Sequence, residues 1–163
     1  MQTQATTSLP LQDKIAFVTG GSRGIGAAIV RRLASQGANV VFTYQSSAAE
    51  AQALAATVET AGGKAHGVQA EAADAAALTA AIAKVAAQFG RIDILVNNAG
   101  VFLPGAIDDF SLADFDKTLN VNVRAVFVAI KVPWRTCQRA GASSTSAARM
   151  RTACRSAARP PTP

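Results

Sequence analysis

The chain has 163 residues, half of them hydrophobic and 6% aromatic, and a formal net charge of +6 at neutral pH. That length suggests one domain able to bury roughly two-thirds of its unfolded surface. No apolar run approaches the ~20 residues that a membrane-spanning helix needs, and Met1 to Pro10 has neither a basic start nor a hydrophobic signal core. A cytoplasmic protein without a membrane partner is expected. The charge sits at one end. Residues 1–132 hold ten Lys or Arg against ten Asp or Glu, a net of zero, and the other six cations are Arg135, Arg139, Arg149, Arg151, Arg155 and Arg159. With no aromatic beyond Trp134 among them, no specific nucleic-acid partner is expected. Cys137 and Cys154 lack His or carboxylate neighbours at ligand spacing, so no metal site is expected.

In chain order, polar residues 1–10 read as a disordered N-terminus, followed by an apolar, β-branched run that predicts a strand at Ile15–Thr19. Residues 19–26, Thr-Gly-Gly-Ser-Arg-Gly-Ile-Gly, come next and open a helix predicted over 24–36. Strand, glycine-rich turn and helix together make an anion site, because backbone N–H groups and the positive dipole end face the same point. Gly20, Gly24 and Gly26 allow the sharp turn and the close approach of a phosphate. Further strands are predicted at Val40–Tyr44, Ala65–Gln69 and Ile92–Val96, and further helices at 47–61, 74–89 and 111–132. Gly37, Gly62-Gly63 and Gly90 fall where helices should stop. Alternating strands and helices predict an α/β fold, a doubly wound parallel sheet with the ligand crevice at the carboxyl ends of its strands. From Pro133 neither apolar period survives, so 133–163 reads as a disordered basic tail.

Residues 97–100, Asn-Asn-Ala-Gly, directly follow the run Ile92 to Val96. Together with Thr-Gly-Gly-Ser-Arg-Gly-Ile-Gly, this resembles the short-chain dehydrogenase/reductase family, near its 3-oxoacyl-acyl-carrier-protein reductase branch, over residues 11–132. The resemblance implies an incomplete Rossmann-type domain of strand order 3-2-1-4 that binds NAD(P) and serves hydride transfer between NADP(H) and a carbonyl or alcohol substrate. By the same resemblance Gly20, Ser22, Arg23, Ile25 and Gly26 contact the phosphates and ribose, and Asn98, Ala99 and Gly100 lie along the adenosine ribose. Glu71 stands where the family has an Asp for the adenine amino group. Asn122 matches the family's catalytic asparagine; the alternative is a helix-interior amide bonded to its own backbone. At the end of the second strand, Thr43-Tyr44-Gln45-Ser46-Ser47 has no acid, whereas NAD binders place one there for the ribose hydroxyls. With Arg23 nearby, NADP is expected over NAD. Tyr44 is a candidate to flank the adenine or to pack as a strand residue, and His66 is expected on the surface without a catalytic part.

The family reaction also needs a Tyr acid/base, a Lys three residues after it and an upstream Ser. The only tyrosine here is Tyr44, and no Lys follows Lys131. The chain as it stands is therefore expected to be inactive, with Asn122 the one catalytic-set residue present and the small-molecule substrate undefined. Codon degeneracy lets residues 135–148 be read in a shifted frame as His-Leu-Pro-Ala-Gly-Gly-Arg-Ile-Ile-Asn-Ile-Gly-Ser, similar to the family's next strand and its serine. A frameshift near residues 131–134, leaving a truncated product, is the resulting expectation. A second class is a non-catalytic nucleotide-binding protein, for the cofactor or for cyclic di-GMP, since the same frame continues into a string reminiscent of a branch associated with that ligand. The fourth strand would form an exposed apolar edge. Weak or absent cofactor binding and poor solubility are expected with it, and the family homo-oligomer is in doubt for this chain.

Overall fold

The computed structural model describes residues 9–139, and their side chains through residue 132. Four strands, β1 (Ile15–Val18), β2 (Asn39–Tyr44), β3 (Lys64–Gln69) and β4 (Ile94–Val96), pair in parallel in the order β3-β2-β1-β4. The first three are followed by α1 (Gly24–Ser35), α2 (Ala48–Thr60) and α3 (Ala75–Phe89). After β4 come α4 (Leu112–Leu119), a π turn at Asn120–Arg124 and α5 (Ala125–Arg139). Strand order reverses between β1 and β4, which is where a doubly wound sheet opens its crevice.

The period of two along each strand sorts the core into two layers. Ala16 and Val18 of β1 and Val40 and Phe42 of β2 pack with Val30 of α1 and Leu54 and Val58 of α2. Ile15, Phe17 and Val41 face the other way, onto Leu78, Ile82 and Val85 of α3 and Ala125 and Ala129 of α5. Each fully buried side chain of the size of Phe17 or Leu78 contributes about 1.5–3 kcal/mol. Helices cover both faces, so every position of β1 is buried, which explains its unbroken apolar run.

Gly37, Gly62 and Gly90 follow α1, α2 and α3 at φ of 96°, 79° and 72°, a left-handed stop that costs glycine nothing sterically. Most predicted ends hold or shift by a single residue, and two elements differ by more. β4 begins at Ile94, not Ile92, because the Asp93 carboxylate accepts the Ile15 N–H at 2.9 Å in place of a strand carbonyl. Arg91 Nε holds that same carboxylate at 2.9 Å. The helix expected over 111–132 is three pieces, interrupted by the π turn, and its last piece runs past Pro133 to Arg139. Of the expected disorder, residues 1–8 and the tail beyond Arg139, with Cys154, lie outside the described residues, whereas Leu9 and Pro10 stand in a turn in which the Gln12 N–H bonds the Leu9 carbonyl at 3.0 Å. Among the described residues β4 is the sheet's edge next to β1, and no helix is long and apolar enough to cross a membrane.

Candidate functional site

The site starts at the end of β1. Thr19 is buried, and its Oγ1 accepts the backbone N–H groups of Asn98 at 3.0 Å and Ala99 at 3.1 Å. Asn98 answers through its side chain, with Nδ2 donating to the carbonyls of Thr19 at 3.0 Å and Gly20 at 2.8 Å. From the other side Thr43 of β2 accepts the Gly20 N–H on Oγ1 at 3.0 Å and the Gly21 N–H on its carbonyl at 2.8 Å. The glycine loop is thus held between the carboxyl ends of β2 and β4. Gly26 is required by contact: an added Cβ would lie 2.2 Å from the Gly20 carbonyl oxygen and 2.6 Å from Asn98 Nδ2.

Helix α1 begins in this loop without a cap. Its N-cap residue is Arg23, which makes no side-chain capping bond, and its first turn holds no acidic residue. A guanidinium has no acceptor to offer, so the leading N–H groups, before the Ala27 N–H bond to Arg23 O at 3.2 Å, lack partners within the helix. Helices α3 and α4 differ: Asp74 accepts from Ala76 and Ala77, and Ser111 from Asp114. An anion fits the start of α1 and supplies what its own sequence withholds.

A cleft of about 300 Å³ opens over these groups. Of the residues singled out in the sequence, Gly20, Ser22, Arg23, Ile25, Gly26, Tyr44, Asn98, Ala99 and Gly100 line it. Thr43, Gln45, Ser46 and Ser47 complete the wall at the end of β2, Ala70 and Ala72 at the end of β3, and Val121 at the π turn. Tyr44 packs half-buried against the α1/α2 layer, as a strand residue does, and also lines the cleft. His66 is exposed on β3 and outside the wall.

Gly24, Glu71 and Asn122 are not part of the lining. Gly24 opens α1 at φ 55° with nothing within 4 Å of where a Cβ would stand. Glu71 is exposed, and its Oε1 accepts from Gln45 Nε2 at 2.9 Å; Gln69 Nε2 donates to the Gln45 carbonyl at 3.0 Å. The carboxylate therefore meets the site through Gln45. Asn122 sits in the π turn, defined by the Ala125 N–H bond to the Asn120 carbonyl, a feature frequent at functional sites. Its Oδ1 accepts the Val101 N–H and its Nδ2 donates to the Val101 carbonyl, both at 2.9 Å. The amide bonds the loop after β4 and not its own helix. Sequence reasoning missed the anchoring parts of Thr19 and Thr43; the available signal was a hydroxyl residue at the carboxyl end of each strand flanking the glycine loop.

The profile of the short chain dehydrogenase family matches residues 14–143. The chain belongs to that family. A short-chain dehydrogenase/reductase from Serratia marcescens is 57% identical, with a TM-score of 0.75 over 78% of this chain and 52% of its own. A short chain dehydrogenase from Burkholderia cenocepacia, solved in complex with NADP, is 46% identical, with a TM-score of 0.74 over 88% and 64%. The 3-oxoacyl-[acyl-carrier-protein] reductase of Staphylococcus aureus is 37% identical over 131 residues, 79% of this chain and 53% of that protein. The chain spans about half the length of the curated relatives it matches. As a member of that family, it carries an α/β sheet in the 3-2-1-4 order.

Proposed function

We propose that this chain is the NADP(H)-binding part of a short-chain oxidoreductase. The observation that carries the reading is the uncapped start of α1, preceded by a glycine loop held between Thr43 and Asn98, with Gly26 where a Cβ would strike the Gly20 carbonyl. Such a start takes a pyrophosphate. When bound, the cofactor would supply the hydride-transfer chemistry between its nicotinamide and a carbonyl or alcohol carbon. The chain's own residues bind and orient it: the α1 N–H groups and Ser22 at the phosphates, and Asn98, Ala99 and Gly100 along the ribose.

A preference for NADP over NAD rests on charge. The wall at the end of β2 carries Thr43, Tyr44, Gln45, Ser46 and Ser47 with no carboxylate, and Arg23 lines the same cleft. A 2′-phosphate gains from the guanidinium and meets no acid of the kind that selects NAD. The relative from Burkholderia cenocepacia was solved with NADP.

The 163 residues contain no Tyr-x-x-x-Lys, and Asn122 is the one residue of the family's catalytic set that we assign. The chain alone is therefore proposed not to turn over a substrate, and the small-molecule substrate of the whole enzyme stays undefined. We place the protein in the cytoplasm without a specific nucleic-acid or membrane partner. A coding-frame change near residues 131–134 is part of this proposal; the family match reaches residue 143, past that point, so the coding DNA read in three frames decides it.

Titrating the purified chain with NADPH, NADH and cyclic di-GMP tests the reading. Weak but saturable binding of NADPH, tighter than NADH, is expected, with no reduction of carbonyl substrates. Binding of cyclic di-GMP without NADPH would replace it with the non-catalytic alternative.

A further inference from the structure

Thr43 holds two successive amides of the glycine loop. It is 1% exposed, and it takes the Gly20 N–H with its hydroxyl and the Gly21 N–H with its carbonyl, at 3.0 and 2.8 Å. Gly20 sits at φ 65°, so the side-chain bond fixes a backbone conformation that the loop would otherwise leave readily. With these two N–H groups committed to β2, anion binding falls to the N–H groups that open α1. β2 runs from Thr43 into Tyr44, with Gln45 next, both on the cleft wall, so one residue links the shape of the glycine loop to the strand end that lines the cleft.

We propose that Thr43 is a positioning residue for the cofactor, setting the glycine loop in its binding geometry before the ligand arrives. This rests on the NADP(H) reading above. Thr43 touches the loop and acts through it. Valine reproduces the shape of threonine but cannot accept the Gly20 N–H, whereas serine keeps the oxygen.

The test compares the full chain with Thr43→Val and Thr43→Ser by residue-resolved hydrogen exchange without ligand and by NADPH titration. Gly20 should exchange slowly in the wild type and Thr43→Ser and fast in Thr43→Val. Gly21, bonded to the carbonyl, should stay protected in all three and so reports that each variant is folded. NADPH affinity should fall about tenfold in Thr43→Val, as expected for a buried amide left without its acceptor, and return in Thr43→Ser. Equal Gly20 exchange in Thr43→Val and the wild type, or an undiminished affinity of Thr43→Val, would overturn the proposal. If the wild type bound neither NADPH nor NADH, the cofactor reading would fall, and the exchange comparison would still decide whether Thr43 sets the loop.

Discussion

Asn98 Nδ2 lies 2.8 Å from the Gly20 carbonyl oxygen, so a side chain at the end of β4 holds the first turn of a loop built some eighty residues earlier. The same nitrogen also serves Thr19 O at 3.0 Å, and both of its hydrogens are thereby used. The site is assembled by this cross-strand bond as much as by the glycines.

Asn98→Asp removes both donors and turns a carboxylate oxygen toward two carbonyls. A loss of about 1–3 kcal/mol of stability is expected, together with the loss of NADPH binding. Urea unfolding with a parallel titration checks it. Unchanged stability and affinity would mean that the bond does not organise the loop.

Cofactor choice can be moved at the end of β2. Tyr44→Asp places an acid on the wall of the cleft that Arg23 also lines, where it would accept from ribose hydroxyls and repel a 2′-phosphate. The ratio of NADH to NADPH affinity should rise, by about tenfold if one charged contact is exchanged. Arg23→Ala should weaken NADPH more than NADH. Equal effects on both nucleotides would remove the argument for an NADP preference.

Strands, helices and the glycine loop were legible because each has a local cause: a period of two, a helical period, and glycine at Gly37, Gly62 and Gly90 where a left-handed stop is needed. What escaped depends on partners distant in sequence. Thr19 and Thr43 read as ordinary β-branched strand residues, and their hydroxyls acquire roles only when β2 and β4 flank β1. Glu71 likewise meets its partner, Gln45, only through the fold, 26 residues away in the chain. The π turn lies in Asn120-Val121-Asn122-Val123-Arg124, which continues an amphipathic helix by composition; the bonds of Asn122 there go to Val101, on the loop after β4. Asp93 shortens its strand through a bond to Ile15, 78 residues away in the chain.

Asn122 is expected to matter for local order in this chain. Asn122→Ala removes both bonds to Val101, a loss of about 1 kcal/mol or more. Faster exchange of the Val101 amide and a lower melting temperature should follow. Unchanged exchange at Val101 would show that the π turn does not hold the loop.

Apolar side chains on the segment after β4 face solvent: Phe102, Ile107 and Leu112 are all more than 80% exposed, and Val123 and Phe127 are also exposed. Exposed apolar clusters of this kind, beside an open strand edge, favour self-association. The chain is expected to show concentration-dependent light scattering, reduced by Val123→Asp with Phe127→Asp. A monodisperse monomer at all concentrations would contradict this.

The most direct measurement is NADPH binding to the wild-type chain, Gly26→Ala and Gly24→Asn side by side. The Cβ added at position 26 meets backbone oxygen at 2.2 Å, while position 24 has open space and needs only a left-handed backbone, which asparagine tolerates. The expected result is saturable binding by the wild type and Gly24→Asn and none by Gly26→Ala. Failure of the wild type to bind, or full binding by Gly26→Ala, would contradict the assignment of the cleft as the cofactor site.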